Sequence, residues 1–128
     1  MILDTSALLA IALDEPEREA FIAKIDDADS VGVGAPTLVE AGIVLAAHTG
    51  AEAGDLLGEL MYVSVGVVIE FGAAHWQEAL SAWSRFGKSR HAANLNFGDC
   101  LAYATARVAE QPLLCKGDDF AKTDLPLA

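Results

Sequence analysis

Four short apolar runs, separated by stretches whose apolar residues recur at helical spacing, restrict this chain to alternating strands and helices. Met1 to Leu3 ends at Asp4, after which Ser6 is placed to N-cap a helix over Ala7 to Leu13. A second helix is expected over Glu15 to Ala28, with Pro16 in its first turn and Ala20, Phe21 and Ile25 on one side. Val31 and Val33, between glycines, read as a strand ended by Pro36. Thr37 then caps a helix to His48, with Gly50 as its stop. Ala51 to Tyr62 reads as a helix and Val63 to Ile69, dense in β-branched residues, as a strand. Ala73 to Phe86 is a helix whose Trp76, Leu80 and Trp83 form a stripe expected to face the core. Lys88 to Leu95 is a polar loop, Asn96 caps a helix to Ala109, and Leu113 to Lys116 closes the series as a strand. The order β-α-α-β-α-α-β-α-α-β implies an α/β fold, a short parallel sheet of four to five strands flanked by helices on both faces.

A length of 128 residues with 53% hydrophobic content suits one domain with one core, spanning 1–128. Its apolar stretches, such as Ala41 to Ala47, fall short of the roughly 18 residues a membrane span needs. The acid at position 4 and the lack of a basic opening argue against a signal peptide, so a cytoplasmic protein with no membrane partner is expected. Cys100 and Cys115 form no Cys-x-x-Cys pair and read as small buried hydrophobes. His48, His75 and His91 lack zinc-site spacing.

The net charge of −11 excludes a protein that coats nucleic acid indiscriminately, since phosphate binding depends on Lys and Arg displacing counterions. Cations are unevenly spread. None lies between Ile25 and Ser84, whereas Arg85, Lys88 and Arg90 supply three of eight within six positions. An acidic body of this kind attracts a basic protein partner.

In an open parallel sheet, ligands bind beyond the carboxyl ends of the strands. Asp4 ends the first strand, Glu40 and Asp99 lie in first turns of helices, and Asp118 and Asp119 follow the last strand. Thr37-x-x-Glu40 and Asn96-x-x-Asp99 each also read as a capping box, which alone accounts for either acid. Asp4, in an apolar segment, is costly to bury unless paired. Carboxylates about 6 Å apart repel by roughly 3 kcal/mol per pair at an effective dielectric near 20, so several in one crevice need a counter-ion. With oxygen ligands only, the fitting ion is Mg²⁺, with Mn²⁺ as the alternative. The implied chemistry is phosphodiester hydrolysis.

Ile2-Leu3-Asp4-Thr5-Ser6-Ala7, an isolated Glu40, Gly87-Lys88-Ser89-Arg90-His91 through Leu95-Asn96-Phe97-Gly98-Asp99-Cys100, and Pro112-Leu113-Leu114 through Lys116-Gly117-Asp118-Asp119-Phe120 to Thr123-Asp124 resemble, in order along the chain, VapC toxins of the PIN-domain family. The resemblance implies a three-layer PIN-like fold and a metal-dependent endoribonuclease. It further implies a VapB-like antitoxin partner, an RNA substrate, and a homodimer or larger complex with antitoxin. The antitoxin helix is expected in an apolar groove, on apolar surface left by the helices expected up to Tyr62. The resemblance makes Asp4, Glu40, Asp99 and Asp119 the catalytic acids, with Asp4 and Asp99 holding the metal, Ser6 supporting Asp4, and Asp118 competing with Asp119 for the last place. Lys88, Arg90 and His91 would then grip RNA beside the site, the alternative being a solvated helix end.

Two other readings stand beside this one. A PIN fold kept only for protein association would leave the acids idle. An aspartyl-phosphate enzyme with Asp4 as nucleophile is disfavoured by Ser6, where such phosphatases carry a second acid. Gly87-Lys88-Ser89 lacks the glycine and preceding strand of a phosphate loop, and Gly32-x-Gly34 meets Pro36 before any dinucleotide fingerprint is complete.

Overall fold

The structure, a computed structural model, describes residues 1–50, 55, 58 and 66–128. Among them, strands β1 (Ile2–Leu3), β2 (Gly32–Gly34), β3 (Val67–Ile69) and β4 (Leu113–Leu114) pair in the order β3-β2-β1-β4, every pair parallel. The helices are α1 (Thr5–Ala12), α2 (Arg18–Asp26), α3 (Ala35–Thr49), α4 (Ala73–Phe86) and α5 (Phe97–Ala109), followed by a 3₁₀ turn at Phe120–Lys122. The helix expected over Ala51 to Tyr62 and the start of the strand expected from Val63 lie outside the described residues, apart from Asp55 and Gly58.

Strand alternation divides the core into two layers. Ile2 and Leu113, paired in register, face α4 and α5 with Ala82, Phe86, Tyr103 and Ala106. Leu3 and Leu114, the next pair, face the other way with Ala7, Leu8, Ile11 and Phe21 of α1 and α2. Parallel strands buried on both faces need apolar residues at every position, and these two-residue strands supply them. Gly34, at the end of β2, makes the sheet's close contact with α5. A Cβ there would stand 2.7 Å from the Thr105 hydroxyl. No helix among the described residues is long and apolar enough to cross a membrane.

Three local expectations are corrected. Helix α1 starts at Thr5, and its cap is Asp4, whose side chain accepts from the Ser6 N–H, so Ser6 sits inside the first turn. Helix α3 starts at Ala35 from a Gly34 cap, because Pro36, with its φ already helical and no N–H to lose, fits the first turn rather than ending the strand. Thr37 is therefore buried within the helix, and Glu40 lies in the second turn, outside any cap. In α4 the stripe turned inward is His75, Ala79, Ala82 and Phe86, whereas Trp76, Leu80 and Trp83 are exposed by 52%, 58% and 36%. The small alanines let α4 lie close on α5, whose facing side carries Ala102 and Ala106, and leave no room there for indole rings.

Candidate functional site

All four candidate acids lie at the end of the sheet where the strands terminate in α1, α3 and the β4 loop. Asp4 leaves β1 with its backbone N–H bonded to the Leu114 carbonyl at 3.0 Å, which locks it beside β4. Its side chain is 4% exposed and accepts two bonds from Ser6, from the N–H at 3.0 Å and from Oγ at 2.5 Å. Ser6 Oγ in turn accepts from the Lys116 N–H at 2.9 Å, so one hydroxyl ties the ends of β1 and β4 together. Burial raises the Asp4 carboxyl above its ordinary range; the Ser6 bonds pull it down, and the charge of Glu40 adds to the rise.

Asp99 is the N3 residue of α5 and completes a reciprocal box with Asn96. Its N–H donates to Asn96 Oδ1 at 3.0 Å, and its Oδ2 accepts from the Asn96 N–H at 2.7 Å. That bond uses one carboxylate oxygen. Burial, together with the charges of Asp4, Glu40 and Asp119, pushes Asp99 up to about 6. Glu40 reaches the same place from α3, where its Oε2 accepts from Thr5 Oγ1 at 2.6 Å. Asp119 is exposed on the loop after β4 and holds Lys122 at 3.4 Å. Of the adjacent pair, it is Asp119 whose charge acts on Asp99.

Acids from four separate segments thus act on one another electrostatically. Among the described residues, Asp4, Glu40 and Asp99 have no ion pair, although Asp14, Glu15, Glu17, Glu19, Asp119 and Asp124 all do. As placed, no three His, Cys, Asp or Glu side chains among the described residues are drawn tightly enough together to hold an ion. The donor chemistry nonetheless fits a hard divalent cation: oxygen ligands, one of them almost fully buried, and a surplus of negative charge at Asp4, Glu40 and Asp99 that no ion pair among the described residues offsets. Cys115 stands close enough for Asp4 and Asp99 to act on its thiol, which burial and those charges raise to about 12; it stays protonated there.

Two residues of the site carried no assignment from sequence. Thr5 holds Glu40, and Gly98 leaves the space that the Glu40 carboxylate fills. Thr5 follows Asp4 and Gly98 precedes Asp99, so their positions were visible, but no pattern within either segment points to an acid more than thirty residues away in the chain.

The basic segment is a pinned loop. Lys88 N–H donates to the Leu95 carbonyl at 2.8 Å, and Ser89 and Asn94 take positive φ of 65° and 53° to close the turn. Arg85 is committed to Asp124 at 2.6 Å, and the Arg90 guanidinium lies 6.0 Å from the Trp83 ring centre. Lys88, Arg90 and His91 are exposed. Exposed apolar side chains gather on α3, α4 and α5, with Val39 and Ile43 on the first and Phe97, 77% exposed, on the last; among the described residues none of the large ones lies on α1 or α2.

The chain belongs to the PIN domain family, whose match covers residues 1–125. Within that family its similarity runs to VapC ribonucleases. Ribonuclease VapC36 of Mycobacterium tuberculosis is 43% identical over 127 residues, covering 98% of this chain and 91% of that one. Two solved structures share the fold at low identity. The sarcin-ricin loop cleaving toxin VapC20 of Mycobacterium tuberculosis superposes with a TM-score of 0.78 at 17% identity, covering 99% of this chain and 97% of the other. A toxin–antitoxin complex from Klebsiella pneumoniae gives 0.72 at 15%, covering 99% and 95%.

Proposed function

We propose that this chain is the toxin of a toxin–antitoxin pair, a divalent-metal-dependent endoribonuclease whose ion is Mg²⁺, with Mn²⁺ able to replace it. The observation that carries the reading is the convergence of Asp4, Glu40, Asp99 and Asp119, of which the first three have no cationic partner among the described residues. We take the whole chain, 1–128, as one catalytic domain working in the cytoplasm.

Asp4 and Asp99 would hold the ion, with Ser6 and the α5 cap fixing the direction of each carboxylate. When bound, the ion supplies Lewis acidity toward a phosphoryl oxygen and lowers the pKa of water. Glu40, with one oxygen occupied by Thr5 and the other unbonded, takes the proton from the attacking water. Water adds at phosphorus as one P–O ester bond breaks, the leaving oxygen takes a proton from solvent and Glu40 releases the one it took, so the products are a hydroxyl end and a phosphate monoester end. Asp119 closes the outer edge of the site. Lys88, Arg90 and His91 meet phosphates flanking the cut and fix the strand without reading its sequence.

A VapB-like antitoxin silences the site. The apolar groove between α3 and α5, lined by Val39, Ile43, Val44, Phe97 and Leu101, opens directly onto Glu40. An amphipathic helix seated there buries that face and brings a basic residue to the acids.

The test is cleavage of RNA by the purified chain with Mg²⁺, compared with Asp4→Asn and Asp99→Asn. Activity in the wild type and its loss in both variants is expected. Equal activity in all three would remove the assignment.

A further inference from the structure

The Glu40 carboxylate is held from two sides by residues that are not acids. Thr5 Oγ1 donates to its Oε2 at 2.6 Å. On the other side lies Gly98, where a Cβ would stand 2.5 Å from Oε2, 2.7 Å from Cδ and closer still to Oε1. At those distances something must shift, and what shifts is the Glu40 carboxylate, the movable end of a flexible side chain, so a Cβ at this position would displace it. Gly98 has no unusual backbone requirement to explain it: it lies in the first turn of α5, where most residues are acceptable and glycine is among the poorest helix formers. Its value here is the missing side chain.

The placement of these two residues couples three segments. Thr5 directly follows Asp4, and Gly98 directly precedes Asp99. A glutamate has three side-chain torsions, and an unheld one spreads its carboxylate over many positions. Between a hydroxyl donor beside one aspartate and a bare backbone beside the other, Glu40 keeps one geometry, with Oε2 occupied and Oε1 the oxygen left without a partner.

We propose that Thr5 and Gly98 are positioning residues for Glu40, a hydroxyl on one side and an open floor on the other, and that together they aim Oε1 at the attacking water. The inference rests on the ribonuclease reading above. It assigns these residues to the chemical step rather than to ion binding, because neither touches Asp4 or Asp99 through its side chain. Thr5→Val keeps the shape and removes the donor. Thr5→Ser keeps the donor. Gly98→Ala fills the floor.

The experiment measures kcat and KM for RNA cleavage in Mg²⁺, Mn²⁺ affinity by paramagnetic resonance, and melting temperature, in the full chain. In Thr5→Val and Gly98→Ala, kcat is expected to fall by roughly 10- to 100-fold. KM and Mn²⁺ affinity should stay within about threefold, and Thr5→Ser should recover most of the loss. Adding Thr5→Val to Glu40→Gln should cost no further activity, since the residue being positioned is already disabled. The inference is overturned if Thr5→Val keeps its kcat, if Thr5→Ser is as impaired as Thr5→Val, or if the double variant loses activity additively. A loss explained wholly by a fall in melting temperature or in Mn²⁺ affinity also overturns it. Failure of the wild type to cut RNA at all would instead strike the ribonuclease reading, a result the Mn²⁺ measurements distinguish.

Discussion

The starts of α3 and α5 carry the same local pattern, a small polar residue followed three positions later by an acid, and the structure treats them oppositely. At α5 the pattern is a working cap: Asn96 and Asp99 satisfy each other's backbone N–H groups, and Asp99 enters the acid cluster with one oxygen already committed to the helix. At α3 the helix begins two residues before Thr37, and Glu40 owes nothing to the helix terminus. Its carboxylate is held by tertiary contacts, to Thr5 of α1 and over Gly98 of α5. On the proposed reading, one acid would have a structural and a functional role at once, whereas the other would serve the site alone. Truncating each should separate these roles.

The largest expected effect is on activity. Asp99→Ala and Glu40→Ala should each lower RNA cleavage by roughly 100-fold or more. The two should part company in Mn²⁺ binding, weakened strongly by Asp99→Ala and only slightly by Glu40→Ala. Equal loss of ion in both would erase the distinction drawn between them.

Stability tests the caps themselves. Asn96→Ala should cost about 1 kcal/mol, a fall in melting temperature of roughly 4 °C. Thr37→Val, which removes a hydroxyl that caps nothing and leaves a side chain of the same shape in its buried place, should cost less than Asn96→Ala. A loss at Thr37 equal to that at Asn96 would restore the sequence-based cap.

The smaller effect is one of pH in metal-free protein. The folded Asp99 carboxyl titrates near 6, above its ordinary value of 3.8, so the folded state holds a proton the unfolded chain has released across that interval. Stability from this group is present below the unfolded value and is lost as pH rises through about 6. The metal-free chain should melt a few degrees higher at pH 5 than at pH 7.5. Asp99→Asn, which keeps an oxygen for the cap and carries no charge, should reduce that difference and leave the part that comes from Asp4, whose carboxyl burial also raises. A pH dependence unchanged in this variant, followed by thermal melts, would show that Asp99 is not its source.

What the sequence disclosed follows from how local each decision is. Helices α4 and α5 have the bounds expected from their caps and periodicity, because Gly87 and Asn96 act within one turn. The start of α3 depends on whether Pro36 ends a strand or opens a helix, and both uses of proline are local and allowed. The inward face of α4 was misassigned since two stripes compete, a large aromatic one and a small alanine one, and only the closeness of α5 decides between them. Topology alone pointed to Asp4, Glu40, Asp99 and the adjacent pair Asp118 and Asp119, as residues at the carboxyl end of a parallel sheet, without choosing between the last two. It did not point to Thr5 and Gly98, because their role exists only once α1, α3 and α5 are packed together.

On the proposed reading, these acids repel one another until a divalent ion joins them. Melting the purified chain at pH 7.5 with and without Mg²⁺ tests it most directly. A rise of several degrees on adding Mg²⁺, abolished in Asp99→Ala, is the expected result. The same melting temperature with and without the ion, in the wild type, would contradict it.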